Sequence, residues 1–360
     1  PGGLTSCTMI VTCQQMQKGE EAAFARGVSA AALMEEAGQG IVAVVRQFYS
    51  IAGSLVIYLG KGNNAGDALV AARELRKDGW KVFGRLCVPP AEMKELPRGH
   101  FGDWVEVVED ARKQVFAPGP VVLLDGLLGI GFSGEMKADI AALASEMNDL
   151  RQHQHAHIVA MDLPSGLGAR HAVEADVTAC VAQIKDVLVE DGADRNVGRL
   201  ALVPLRELEG IAGDASAMAM TARCIRGWLP HRPNDMHKGD TGRVVIIAGS
   251  RGFLGAAELA CRGALRAGAG LTTLLVKRDA YDLLAARVPP EVIVKCVTDY
   301  RDVLEMKSDA LAIGPGLGFD SEDEVLDVLR QSKTPAVVDA DAITVLAKNP
   351  EALDEMDGLP

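Results

Sequence analysis

Three apolar runs in the first half of the chain each end on a residue able to do chemistry, followed by glycine. They are LVIYLGKGNNAGD (55–67), VVLLDGLLGIGFSG (121–134) and HIVAMDLPSGL (157–167). Each reads as a buried strand running into a polar loop. In an open parallel sheet the carboxyl ends of the strands form the ligand crevice. Asn64, Asp125 and Asp162 are therefore expected to converge on one site, although 98 residues separate the first from the last. The glycines let backbone approach a ligand closely, and the free N–H groups of a following helix attract phosphate. Asn64, Asp125 and Ser165 offer three hard oxygen donors, a set suited to a non-transition cation. Ser165 is not read as a nucleophile, because LPSGL lacks the G-x-S-x-G elbow and no histidine is placed for it.

Two plainer readings stand beside this one. A single Asp at a strand end also caps the following turn or helix. Gly60-x-Gly62-x-x-x-Gly66 matches a variant of the dinucleotide fingerprint, so an NADP-dependent oxidoreductase using Gly60–Gly66 is the alternative. Its support fades downstream, where the second strand closes on Arg85 and Cys87 rather than an acidic ribose ligand. A non-catalytic scaffold keeping the same fold is a third class.

The elements needed to position these loops are visible in the pattern. Residues 14–48 carry helical periodicity, with Met16, Phe24, Leu33, Ala37, Ile41, Val44, Val45 and Phe48 on recurring three- and four-residue steps. From Leu55 to about Leu205, β-branched runs at 55–59, 81–86, 121–124, 157–161, 176–182 and 200–203 alternate with helical stretches, with a helix starting near Asp67. That alternation signals βαβ units and a parallel sheet. Gly210, Gly213, Gly227, Pro230 and Pro233 mark a linker, and a domain boundary is expected near 215. A second α/β pattern follows: strand 244–250, helix 254–270, strand 271–276, then DALAIGPGLG (309–318) and PAVVDADA (335–342).

Composition narrows the class. A chain of 360 residues suits two domains. The net charge of −12 and the lack of a Lys/Arg cluster argue against nucleic acid. No apolar stretch approaches the ~18 residues of a membrane span, and no signal segment opens the chain. The seven scattered cysteines form no Cys-x-x-Cys pair, so reduced thiols in a cytoplasmic protein are expected. His153, His155 and His157 alternate as a metal site on a strand face would require, but a polar loop before Ile158 is the simpler reading. The acidic stretch 320–327 reads as a helix N-terminus. The chain starts at Pro1 and ends at Pro360 in an acidic, helix-like stretch, so both ends are read as cut points.

In the order LMEEAGQGI, GKGNNAGDALVAAREL, DGLLGIG and DLPSGL, residues 9–205 resemble the NAD(P)H-hydrate epimerase (YjeF N-terminal) family. The resemblance implies a Rossmann-like three-layer α/β/α domain over 1–215. It implies that Asn63, Asn64, Ala65, Gly66 and Asp67 hold a hydrated nicotinamide nucleotide, with Gly129, Ile130, Gly131, Phe132, Ser133, Gly134 and Glu135. A potassium ion would be held by Asn64, Asp125 and Ser165, and Asp162 would bind the reacting ring and act as the catalytic group. Departures are present. Ala65 and Ala68 replace family glycines, which is tolerable only if neither is left-handed. Gly126 stands for an alanine, and Gly168–His171 replaces an acidic segment.

The segment HKGDTGRVVIIAGSRGFLGAAELACRGALRAGAGLTTLLV, with AIGPGLG and VVDADAI, resembles the ADP/ATP-dependent NAD(P)H-hydrate dehydratase family. That implies a partial ribokinase-like α/β domain over 216–360, using ADP or ATP with Mg2+. Ala256 and Gly318 would line the hydrate pocket. Lys238, Gly239 and loop 249–255 are signature positions, and Thr344 replaces an asparagine. No Gly-Ser/Thr-Gly-Asp anion hole is present, so a bifunctional parent is expected, with this chain epimerase-competent and dehydratase-deficient. A cytoplasmic homo-oligomer acting on a small nicotinamide nucleotide, without nucleic acid or membrane, completes the expectation.

Overall fold

The computed structural model describes residues 8–208, 217–229 and 231–356. Packing divides the chain into two α/β units, 1–230 and 231–360. The composition shift suggested a boundary near 215, but the short strand at 218–219 pairs back onto strand 8–11 and so belongs to the first unit.

In chain order the first unit contains β1 (Thr8–Val11), α1 (Cys13–Ala25), α2 (Ala30–Phe48), β2 (Ser54–Leu59), α3 (Asn63–Lys77), β3 (Lys81–Leu86), α4 (Glu95–His100), β4 (Glu106–Val107) and β5 (Val121–Gly126). It continues with α5 (Ala138–Gln154), β6 (His157–Met161), β7 (Val177–Val181), β8 (Ile184–Lys185), α6 (Asp194–Val197), β9 (Arg199–Val203), β10 (Met218–Ala219) and α7 (Ala222–Arg226). Seven strands form a parallel sheet in the order β4-β3-β2-β5-β6-β7-β9. Side chains alternate across it, as the two-residue strand period requires. Leu55, Ile57 and Leu59 pack with α2 and α3, whereas Val56 and Tyr58 pack with α5. The periodic stretch 14–48 is two helices, broken at Gly27 (φ +89°) and restarted by the Ser29 hydroxyl accepting from Ala32 N–H.

The third helix starts at Asn63, four residues earlier than Asp67, because Gly62 takes the N-cap position in extended conformation. Ala65 and Ala68 therefore sit inside a right-handed helix, where alanine is at ease, and the missing glycines cost nothing. Where helices do touch closely, glycine remains: a Cβ on Gly38 would meet Val70 at 2.3 Å.

The order of the sheet reverses between β2 and β5, so the switch-point crevice opens at the ends carrying Asn64 and Asp125. The second unit repeats this plan with β11 (Arg243–Ile247), α8 (Leu254–Ala267), β12 (Leu271–Val276), α9 (Arg278–Ala285), β13 (Val292–Cys296), β14 (Ala310–Ile313), α10 (Glu322–Gln331), β15 (Ala336–Val338) and α11 (Asp341–Lys348). Its parallel sheet runs β13-β12-β11-β14-β15, with the reversal between β11 and β14. Glu322, Asp323 and Glu324 occupy the first turn of α10, as the acidic stretch implied.

The three alternating histidines share no strand face. His153 lies in α5, His155 closes that helix in a left-handed conformation, and His157 opens β6. Among the described residues no group of three or more His, Cys, Asp or Glu forms a metal site, and no helix is long and apolar enough to cross a membrane. Cys13, Cys87, Cys180, Cys261 and Cys296 are free thiols; Cys224 is disulfide-bonded, which corrects the expectation of uniformly reduced cysteines.

Candidate functional site

At the switch point the three loops are joined by hydrogen bonds. The Asn64 amide nitrogen donates to Leu128 O (2.8 Å), just past β5, and to Met161 O (3.0 Å), the last residue of β6. Gly129 is packed against this side chain, and a Cβ there would lie 2.7 Å from Asn64 Oδ1. Asp125 is fully buried. Its Oδ1 accepts from Ser165 Oγ (2.6 Å) and Leu127 N (3.3 Å), and its Oδ2 from Ser165 N (2.7 Å). Ser165 Oγ in turn accepts from Leu128 N (2.9 Å). The first, second and third motifs thus meet as one bonded cluster. Burial pushes the Asp125 carboxyl up to about 6, opposed by the bonds from Ser165 and Leu127, and no cationic side chain among the described residues pairs with it.

Asp162 behaves differently. It lies one residue beyond β6 at φ +66°, and Leu163 N donates back to Met161 O (2.8 Å), which makes a γ-turn of the strained hand. Its side chain points to β7 and β8, accepting at Oδ1 from Val181 N (3.1 Å) and from the ammonium of Lys185. Lys185 is fully buried and also donates to Val181 O (2.7 Å). So Asn64, Asp125 and Ser165 come together, while Asp162 stands at the same rim with its carboxylate turned to a separate partner.

Two cavities flank the cluster. A cleft of about 620 Å³ is lined by Asn63, Asn64, Gly129, Ile130, Gly131, Phe132, Ser133 and Glu135 of the expected binding loops, together with Lys61, Lys94 and Lys137. A smaller cavity of about 100 Å³ is lined by Glu20, Asn63, Asp67 and Val181 among others, so Asn63 belongs to both. Ala65 and Gly66 face the interior, the latter against Met34, and line neither cavity. Gly134 (φ +85°) and Asp162 are also absent from both walls. In the small cavity, burial and then the charges of Asp162 and Glu20 hold the Asp67 carboxyl well above the usual carboxylate range. Burial and Asp162 raise Glu20 as well, with Lys185 opposing.

Lys185, Glu20 and the three cleft lysines escape a reading by motif. The only signal for Lys185 is an adjacent pair of charges, Lys185 and Asp186, inside the otherwise mostly apolar run VTACVAQIKDVLV, which reads equally well as a strand edge.

In the second unit, the segment 249–256, a loop running into the start of α8, meets loop 314–318. Gly249 N donates to Pro315 O (2.8 Å) and Ser250 Oγ to Gly316 O (2.9 Å). A Cβ on Gly316 would lie 2.9 Å from that of Ala256, and Gly318 N donates to Asp341 Oδ2 (2.9 Å). Ala256, in the first turn of α8, and Gly318 are therefore on adjoining segments at that sheet's own switch point. Lys238 and Gly239 are not with them. They form a turn bonded to Thr241 before β11 begins, at the opposite edge of the strands. Thr344 is exposed on α11.

Comparison with known proteins agrees with both halves. Residues 30–187 match the family model of the YjeF-related protein N-terminus, and 244–358 that of NAD(P)H-hydrate dehydratase. The bifunctional NAD(P)H-hydrate repair enzyme of Gloeobacter violaceus is 32% identical over 98% of this chain and 73% of its own length. That of Escherichia coli is 32% identical over 93% and 67%. The Bacillus subtilis ADP/ATP-dependent NAD(P)H-hydrate dehydratase, crystallised with ATP and Mg2+, shares 31% identity over 34% of this chain and 45% of that one, with a TM-score of 0.31. The chain belongs to the bifunctional NAD(P)H-hydrate repair enzyme family and carries domains of both its types.

Proposed function

We propose that the first unit interconverts the R and S epimers of hydrated NADH or NADPH, with Asp162 moving the hydroxyl proton. The substrate carries a hydroxyl on the ring carbon next to nitrogen. A carboxylate that takes the hydroxyl proton lets the C–N bond break, its electron pair going to nitrogen, which is then protonated. Reclosure on the other face of the aldehyde returns both protons and inverts the centre. The observation carrying this reading is the bonded meeting of Asn64, Asp125 and Ser165 beside Asp162 at the switch point. Proton transfer by a placed side chain is worth about 10²–10⁴-fold. The glycine loop 129–134 and the start of α3 would hold the nucleotide part in the large cleft.

The donor set fits a monovalent cation. Asp125 is a buried carboxylate with no positive partner among the described residues, and Asn64 uses its nitrogen for bonding, which leaves Oδ1 to face an ion. Asn64, Asp125 and Ser165 would hold potassium there, and the ion would supply the missing positive charge beside the substrate. Chiral chromatography of a single purified epimer, with and without potassium, tests the reading. Rapid interconversion that depends on potassium is expected, and none above the spontaneous rate would defeat it.

The oxidoreductase alternative finds no support at β3. Arg85 is turned into a bidentate pair with buried Glu146 (2.8 Å to each oxygen), a brace between sheet and α5. For the second unit, adjoining Ala256 and Gly318 support a hydrate pocket served by ADP or ATP with Mg2+. These 360 residues hold no Gly-Ser/Thr-Gly-Asp segment, and without such a helix start a transferring phosphate has no anion cradle. ADP-dependent NADH formation from the S epimer is expected to be undetectable with this chain; robust turnover would refute that. A cytoplasmic location and a homo-oligomer remain part of the reading.

A further inference from the structure

Two non-glycine γ-turns of the strained hand lie side by side at the ends of β6 and β7. The first centres on Asp162. The second centres on Ala182 (φ +60°), where Gln183 N donates to Val181 O (2.8 Å). Residues are held in such conformations only where surrounding structure over-determines them. Here one group touches both: the buried ammonium of Lys185, bonded to the Asp162 carboxylate and to Val181 O. Asp162 N also donates to Ala179 O (2.9 Å), and Val181 N to Asp162 Oδ1. Oδ1 thus takes two donors, and the side chain is 13% exposed. Lys185 stands on β8, fixed by parallel pairing to β1.

We infer that Lys185 is the positioning residue for the proposed epimerisation: it clamps both turns, occupies Asp162 Oδ1, and leaves Oδ2 as the oxygen offered to substrate. This rests on the reading of Asp162 as the proton carrier. Lys185 would also set the charge balance of a crowded site. Cys13 and Glu20 from α1, Asp67 from α3 and Cys180 from β7 all feel the charge of Asp162, and Lys185 is the cation acting on Cys13, Glu20 and Cys180. Removing the ammonium frees Asp162 Oδ1 and releases the contact that ties the two turns together.

Lys185→Met is expected to lower kcat about a hundredfold with KM nearly unchanged. A rise in KM with kcat unchanged, or no loss, overturns the inference. Should that variant fail to fold, D162N and the double variant D162N/K185M decide, since removing both charges of a buried pair is better tolerated than removing one. Residues acting as one unit are non-additive, so the two are expected to share one kcat. A further tenfold loss in the double variant overturns the inference. If the wild-type chain does not epimerise at all, the functional reading falls separately. Amide exchange at Val181 then decides, expected to quicken at least tenfold in the double variant and overturning the clamp if unchanged.

Discussion

Asp125 and Asp162 stand at the ends of neighbouring strands, both largely buried, yet they are furnished for opposite tasks. Asp125 is surrounded by neutral donors, two from Ser165 and one from Leu127. Asp162 has a buried ammonium of its own. A carboxylate removed from water needs compensation, and the two sites obtain it from different sources. Asp162 has its countercharge inside the fold, in keeping with the proton transfer proposed for it. In the proposed reading the countercharge of Asp125 comes from outside, as a bound cation. On the proposed reading one acid is a working group and the other a socket.

Breaking the working side should have the largest effect. Asp162→Asn keeps the shape and the backbone donors but cannot accept the hydroxyl proton. Epimerisation of a single purified epimer should fall about 10²–10⁴-fold in a chromatographic assay, and full retention would remove Asp162 from the mechanism. Breaking the socket should do less. Asp125→Asn is expected to leave epimerisation measurable, yet to abolish its response to potassium between 0 and 100 mM, roughly a physiological range of ionic strength. An undiminished potassium response would place the ion elsewhere.

Much of this contrast was legible in the amino-acid order. The strands 81–86 and 157–161 have the bounds read from the sequence, and the buried part of the second, 158–161, is written in continuous hydrophobic residues as a sheet covered on both faces requires. The meeting of Asn64 with Met161 across 97 residues followed from strand-end geometry alone. The start of α3 was less legible. Asn63 and Asn64 look like loop residues, and only the extended Gly62 shows that the helix has already begun. Lys185 could not be seen at all, since its partner lies 23 residues upstream and the pairing exists only once β8 has docked on β1. Nor does sequence say that Asp162 is left-handed, a conformation that a surrounding clamp, and not the residue's own preference, enforces.

The contrast sharpens further in stability against pH. Burial raises the Asp125 carboxyl to about 6 from its ordinary value of 3.8. A raised folded value means the protonated form is favoured on folding. Its contribution is full below about 3.8 and is lost as pH rises through about 6. Some two units at 1.36 kcal/mol each correspond to about 3 kcal/mol. A bound cation reverses that loss by stabilising the ionised form, so potassium should raise the melting temperature more at pH 7.5 than at pH 5, by several degrees. Differential scanning calorimetry at fixed ionic strength, with a large organic cation replacing potassium, would measure it. Asp125→Asn should flatten the difference, whereas K185M should leave it in place, because the ammonium at Asp162 is not part of this socket.

The smallest effect belongs to the hydroxyl between the two loops. Ser165 Oγ gives its proton to Asp125 and accepts Leu128 N–H, so Ser165→Ala leaves one buried donor unmet and one carboxylate oxygen poorly bonded. Unmet buried groups cost about 1–3 kcal/mol each, and the loss should appear in chemical denaturation at pH 7. Potassium should still bind, more weakly, since Asp125 and Asn64 Oδ1 remain. If the variant instead matched the wild type in stability and in potassium affinity, the hydroxyl would be a spectator. The socket would then reduce to Asp125 and the amide of Asn64, with the loop carbonyls of Leu128 and Met161 held too firmly by that amide to turn towards an ion.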